Sequence, residues 1–224
     1  MDTSTRPRAG RRPGGHEPSN PWLLNHDQKP YAVPGEAPAD VGARVPGPSQ
    51  PQPNVVPPDA VDRLPRRATA HLPRLWWVGA HGGAGESTLA ALLAGTAAAG
   101  RAWPGRTDDV DADAPVVLVA RTHLAGLLAA QRALVDWAAG QVPGVQLLGL
   151  VLVADAPGRL PRALRDLTRL VAGGAPRTWQ LPWVDEWRTT RPRIDQAPAS
   201  AGRVLSDLTR LLSTQTSAPE EGTT

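Results

Sequence analysis

Residues 79–88 read GAHGGAGEST. Gly82, Gly83 and Gly85 allow the backbone to curl until successive N–H groups converge. A helix opening behind such a curl adds its dipole and its unpaired N–H groups, which is the chemistry of a phosphate cradle. Ser87 stands where a hydroxyl would ligate Mg²⁺, with Thr88 beside it. Strand, Gly-rich turn, Ser-Thr and helix in this order form a specific phosphate-loop signal. Glu86 breaks it, because a carboxylate occupies the position where the cradle needs a cation. About 4 Å from a phosphate oxygen, it would be repelled by roughly 4 kcal/mol per charge pair at an effective dielectric of about 20. The missing cation adds a comparable penalty. An acid in a helix's first turn is favoured by the dipole and the free N–H groups. Glu86 is therefore expected to act as the protein's own anion, partly filling the phosphate site, unless it turns away or Mg²⁺ bridges it.

Few other side chains could replace the cation. The chain has one lysine, Lys29, against 23 arginines, so residues 74–213 contain no ammonium group. Arg121 and Thr122 are the nearest candidates for accessory anion contacts, with His123 alongside, and Thr122 is expected to N-cap the helix that follows. The five histidines are scattered and there is no cysteine, which excludes disulfides and thiolate metal sites and leaves no zinc-binding spacing. Asp108, Asp109, Asp111 and Asp113 read as a solvated acidic connector, and Arg162, Arg165 and Arg169 as a solvated helix face. Trp179, Trp183 and Trp187 cluster around Pro182 and read as a lid over the sheet edge, with an exposed aromatic surface for a partner as the alternative.

The elements that must position these residues follow from apolar patterning. RLWWVG (74–79), PVVLVA (115–120), VQLLGLVLVA (145–154) and TWQLP (178–182) are short apolar runs that read as buried strands. Helices are expected over 86–100, 121–140, 158–174 and 199–212, the third with apolar residues at 160, 164, 167, 170 and 171. Alternation of strand and helix predicts an α/β domain, a small parallel sheet of about four strands flanked by helices. Ligands bind beyond the carboxyl ends of such strands. Segments 80–88, 121–123, 154–158 and 182–186 are thus expected to share one edge.

The 224 residues divide unevenly: residues 1–70 hold 14 of the 25 prolines and show no periodicity. They are expected to form a disordered Pro/Gly/Arg-rich arm before an α/β domain over 74–213, with a disordered tail at 214–224. Within the arm, NPWLLNHDQKPYAVP (20–34) reads as a linker with a docking motif as its alternative. The arm's start, MDTSTRPRAGRRPGG, leads into no apolar signal segment, and the longest apolar run is too short for a membrane span, so a cytoplasmic chain is expected. Residues 74–213 carry 15 Arg against 12 Asp plus Glu, a near balance that argues against nucleic acid as the main partner.

HGGAGEST, from His81 to Thr88, resembles the loop of the deviant Walker A ATPases of the MinD/ParA type, K-G-G-x-G-K-[ST]-T, in every place but the two lysines. His81 stands at the signature lysine and Glu86 at the general one. VVLVARTHLAGLLAAQRAL, LLGLVLVADAP and TWQLPWVDEW, with Leu181, Pro182 and Asp185, are similar to later segments of that family, so the likeness covers about 74–213. The stretch also looks like an uncharacterised actinobacterial group carrying the same GAHGGAGEST. The resemblance implies a P-loop fold with nucleotide contacts at His81, Gly82, Gly83, Ala84, Gly85, Glu86, Ser87 and Thr88, and Mg²⁺ on Ser87 only where a nucleotide is held. It also implies two further strands after the first helix, one of them ending in a Walker B carboxylate. Both are expected to be missing here. The chain accordingly reads as a degenerate pseudo-NTPase with no resident cofactor, an adaptor or regulator acting through protein contacts, with 20–34 and Trp183/Trp187 as the candidate contact regions. A nucleotide-dependent switch or weak ATPase using ATP/ADP with Mg²⁺ is the first alternative, and a DNA-associated accessory protein the second.

Overall fold

Val116, Leu118 and Ala120 alternate with Val117 and Val119 along one strand, and the two sets belong to different hydrophobic clusters. Successive side chains of a strand point to opposite faces, so a strand apolar on both faces needs a layer on each side. The computed structural model describes residues 1, 46–69, 73–106 and 113–216. The chain divides into two units, Met1–Gly42 and Ala43–Thr224, and all secondary structure of the described residues lies in the second. Residues 20–34, the acids at 108, 109 and 111, and residues 217–224 lie outside the described residues.

In chain order the elements are β1 (Arg66–Thr69), β2 (Leu75–Gly79), α1 (Glu86–Leu92), β3 (Thr96–Gly100), β4 (Trp103–Arg106), β5 (Ala114–Arg121), α2 (Leu124–Ala138), β6 (Val145–Val153), α3 (Arg162–Ala172), β7 (Thr178–Leu181), α4 (Glu186–Thr189) and α5 (Ala199–Thr216). Five strands form one sheet in the order β3-β2-β5-β6-β7, and every pairing is parallel. Leu127, Leu134 and Trp137 of α2 and Val171 of α3 join the cluster on one face. Leu89 and Leu92 of α1 and Leu205, Leu208 and Leu212 of α5 join the cluster on the other. Right-handed crossovers require this split, because the chain leaves β2 toward β3 on one side and resumes with β5 on the other. The carboxyl ends of β2 and β5 therefore diverge at a topological switch point, and residues 80–85 and 122–123 emerge there.

Two expectations are corrected. The helix over 86–100 stops at Leu92, and residues 96–100 form β3, an edge strand paired with β2. Gly95 (φ 78°) turns the chain, Trp77 Nε1 donates to Thr96 Oγ1 at 2.9 Å, and Thr96 Oγ1 donates to Leu93 O at 2.7 Å. These contacts override the helix propensity of the alanines. Two strands thus stand between α1 and β5 where none was expected, β3 in the main sheet and β4 paired with β1. β3 ends in Gly100 followed by Arg101, and neither strand carries a carboxylate.

The second correction concerns the arm, whose last third packs on the domain. Gln52 N–H donates to Ala138 O at 2.8 Å, Arg66 donates to Pro143 O at 2.7 Å, and Leu64 enters the core. Arg63 lies 3.5 Å from the buried carboxylate of Asp136, and β1 pairs in parallel with β4. Gly47 has no room for a side chain, since a Cβ there would strike the carbonyls of Gly173 and Ala175. Residues 46–69 are a strap rather than a free arm.

Candidate functional site

The glycines of the 79–88 stretch do what their positions demand. Gly83 (φ 73°) and Gly85 (φ 111°) take left-handed backbone conformations that side chains rarely adopt, and Ala84 between them is fully buried. This combination curls the chain from β2 into α1. The three first N–H groups of α1, at 86–88, have no intrahelical acceptor, as at any helix start.

Glu86 is the first residue of α1, and its carboxylate folds back into the curl. Oε2 accepts the Gly85 N–H at 3.1 Å and lies 2.9 Å from where a Cβ on Gly79 would stand. An anion of the chain itself therefore already engages one of the loop's N–H groups. Ser87 is exposed, and Thr88 is half-buried on the wall of a cleft beside the loop.

His81 is half-buried and reaches toward the end of β5. Its Nε2 accepts the backbone N–H of Arg121 at 3.0 Å, and its Nδ1 lies 2.9 Å from Gly82 O. Burial is the main cause that holds its pKa below the ordinary 6.5, so the ring is neutral at pH 7. Arg121 is equally committed. Its Nε donates to Gly83 O at 2.8 Å, while Nη1 reaches Ala154 O at 3.4 Å and Asp155 Oδ1 at 4.0 Å. The cation expected to greet an anion instead ties the loop to the end of β6.

Thr122 is not the cap of α2. It is buried, and its Oγ1 accepts the Asp155 N–H at 3.2 Å. The cap is His123, whose Nδ1 accepts the Gly126 N–H at 2.9 Å. Asn, Asp, Ser and Thr lead the capping preferences, which favoured the wrong neighbour. The sequence also gave no sign of Gly126's role. A Cβ there would strike the Arg121 carbonyl and come within 2.8 Å of His81 Nε2. His81 and His123 face each other with ring centroids 4.9 Å apart.

The four segments expected at one edge do meet: 80–88, 121–123, 154–158 and 182–186 are linked through these bonds and through the cleft. Gly85, Thr88, Arg121, Trp183, Trp187 and Arg188 are among its walls. Trp183 Nε1 donates to Asp185 Oδ1 at 2.6 Å, the Arg188 guanidinium sits 5.2 Å from the Trp183 ring centre, and Trp187 packs on the core. Trp183 and Trp187 thus close over the sheet edge, whereas Trp179 lies in β7, partly buried against the core and away from this cleft. The cleft holds about 70 Å³, against roughly 300–1,000 Å³ for small-molecule sites. A larger cavity of about 720 Å³ lies between residues 46–49, the α3–β7 turn and α5, and none of the loop residues lines it.

Fold and site together define a doubly wound α/β domain with a glycine-curled loop at its switch point. The chain belongs to a family of unknown function (DUF6668), whose profile matches residues 73–205. That span runs from just before β2 into α5 and includes every residue of the loop and its struts. No curated protein and no solved structure matches the chain. No helix among the described residues is long and apolar enough to cross a membrane.

Proposed function

We propose that the chain is a degenerate P-loop protein of the MinD/ParA kind that does no phosphoryl chemistry and serves in the cytoplasm as an adaptor or regulator through protein contacts. The placement of Glu86 carries this reading, since its carboxylate accepts the Gly85 N–H inside the curl. A triphosphate would have to displace that carboxylate or lie against it. Two further features support the reading. Arg121 has three oxygen neighbours of its own. β3, beside the loop-bearing strand, ends without a carboxylate to steady a metal-bound water. These residues do not fit a Mg²⁺–nucleotide. With the loop closed to phosphate, the remaining means of action are surfaces, and the Trp183/Trp187 region and residues 20–34 are the ones proposed for a partner.

Calorimetric titration of ATP and ADP with Mg²⁺ into the wild type and into Glu86→Lys tests the proposal. The wild type is expected to give no binding heat and the lysine variant to bind. Micromolar binding by the wild type would overturn the reading and move the search to the group that replaces the lysine.

A further inference from the structure

We propose that His81 is a protonation-sensitive latch, holding the 79–88 loop against the β5–α2 junction while neutral and releasing it when the ring takes a second proton. The inference goes beyond the pseudo-NTPase reading and holds whether or not the loop accepts a nucleotide.

Both ring nitrogens are committed, in opposite senses. Nε2 accepts the Arg121 N–H at 3.0 Å, so the ring's one proton sits on Nδ1 and is donated to Gly82 O at 2.9 Å. This is the only neutral tautomer that satisfies both partners. A proton added at Nε2 faces the Arg121 N–H, donor against donor. The ring has no room to slide toward α2, because even a methyl on Gly126 would come within 2.8 Å of Nε2. The imidazolium must swing out. Arg121 N–H then loses its acceptor, and the loop keeps the Ala80 N–H bond to Val119 O at 2.9 Å and the Arg121 guanidinium bond to Gly83 O.

The charged and titratable groups around the ring come from each element packed on it: Glu86 from α1, Arg121 from β5 and His123 ahead of α2, with Asp155 after β6 reaching Arg121 at 4.0 Å. Burial chiefly, then His123 and Arg121, lowers the His81 pKa, while the Gly82 carbonyl and Glu86 work against them. The folded pKa thus lies below the unfolded one, and the unfolded chain takes the proton more readily. The latch's contribution to stability is present in full above pH 6.5 and is lost as the pH falls through the folded value.

The test is an NMR titration of the full chain from about pH 8 to about pH 5, the range in which histidines titrate. It follows the histidine Cε1–H signals and the amide of Arg121, in the wild type, in His81→Gln and in His123→Gln. The His81 midpoint should fall below 6.5, and the Arg121 amide should move with it. Below the midpoint, that amide's exchange protection should drop by about fivefold to tenfold relative to His81→Gln at the same pH, the loss of one hydrogen bond. Glutamine offers a carbonyl oxygen in place of Nε2 and should keep the amide fixed throughout. His123→Gln should leave the coupling intact. A His81 midpoint at or above 6.5, an Arg121 amide that ignores it, or a coupling that vanishes in His123→Gln would each overturn the proposal.

Discussion

Gly126→Ala and Gly202→Ala are the same substitution in two helices, and their surroundings give them opposite signs. Alanine in place of a helical glycine gains about 0.5–1 kcal/mol from backbone entropy and propensity. Gly202 lies inside α5, and a Cβ there meets nothing within 4 Å, so the gain should appear in full. Gly126 is the third residue of α2, where a Cβ would strike the Arg121 carbonyl, approach His81 Nε2 to 2.8 Å and His123 Cε1 to 3.1 Å. Two of these obstacles are the backbone and the latch ring, neither of which can yield cheaply. Overpacking of this kind costs about 1–3 kcal/mol, and the collision with the Arg121 backbone carbonyl places Gly126→Ala in the upper part, about 2–3 kcal/mol, so that subtracting a propensity gain of about 1 kcal/mol leaves a net loss of about 1–2 kcal/mol. At about 2–4 °C per kcal/mol for a domain of this size, Gly126→Ala should lower Tm by about 2–8 °C and Gly202→Ala raise it by about 1–4 °C. Urea and thermal melts followed by far-UV circular dichroism measure both. A Gly126→Ala protein as stable as the wild type would refute the close packing of loop, β5 and α2 on which the latch depends.

Asp136 is buried under the strap, and burial raises its pKa above the ordinary 3.8, with Arg63 and then Trp103 opposing; Trp103 Nε1 lies near without completing a hydrogen bond. The protonated form is favoured by folding, so this contribution is present in full below pH 3.8 and lost as the pH rises through the folded value. Urea midpoints across that range should show the wild type losing ground to Asp136→Asn as the pH rises, and parallel curves would contradict the burial argument. At neutral pH, Arg63→Ala leaves the carboxylate unpaired and should cost about 1–3 kcal/mol in the same assay. Thr96→Val should cost a similar 1–3 kcal/mol, roughly the desolvation of the Trp77 N–H it orphans, and a loss under about 0.5 kcal/mol would show that this bond does not hold β3 in place. Glu86→Lys should bind nucleotide without turning it over, because β3 still ends without a carboxylate; sustained phosphate release by that variant would sink the pseudo-NTPase reading.

The parts of the fold legible in the sequence were those set by local burial. β2, β5 and β6 are continuous apolar runs because both faces of each are covered, and α2 carries its apolar stripe at helical spacing. β3 was hidden because Ala97, Ala98 and Ala99 favour helix locally, and what makes them a strand is a bond from Trp77, nineteen positions upstream of Thr96. The strap was hidden for a different reason. A Pro-rich segment held by a few donors such as Gln52 N–H and Arg66 has the same composition as a free one. At the site, the glycines announced the curl, but its supports could not be read, since each joins residues some thirty or more positions apart.

Those supports account for the loop's shape without a ligand. A phosphate-binding curl brings N–H groups together and is strained and electropositive until an anion arrives. Here the anion is internal: Glu86 accepts from Gly85. The two positions at which the resemblance places lysines hold groups that bind the protein itself, His81 to the Arg121 backbone and Glu86 to the loop. Arg121 completes the arrangement by taking the Gly83 carbonyl, and Ala84 is buried between the two left-handed glycines. A single substitution at Glu86 would therefore remove the internal anion but leave His81, Arg121 and Ala84 holding the curl. That is why Glu86→Lys, rather than a rebuilt loop, is the variant in which a retained cradle should reveal itself.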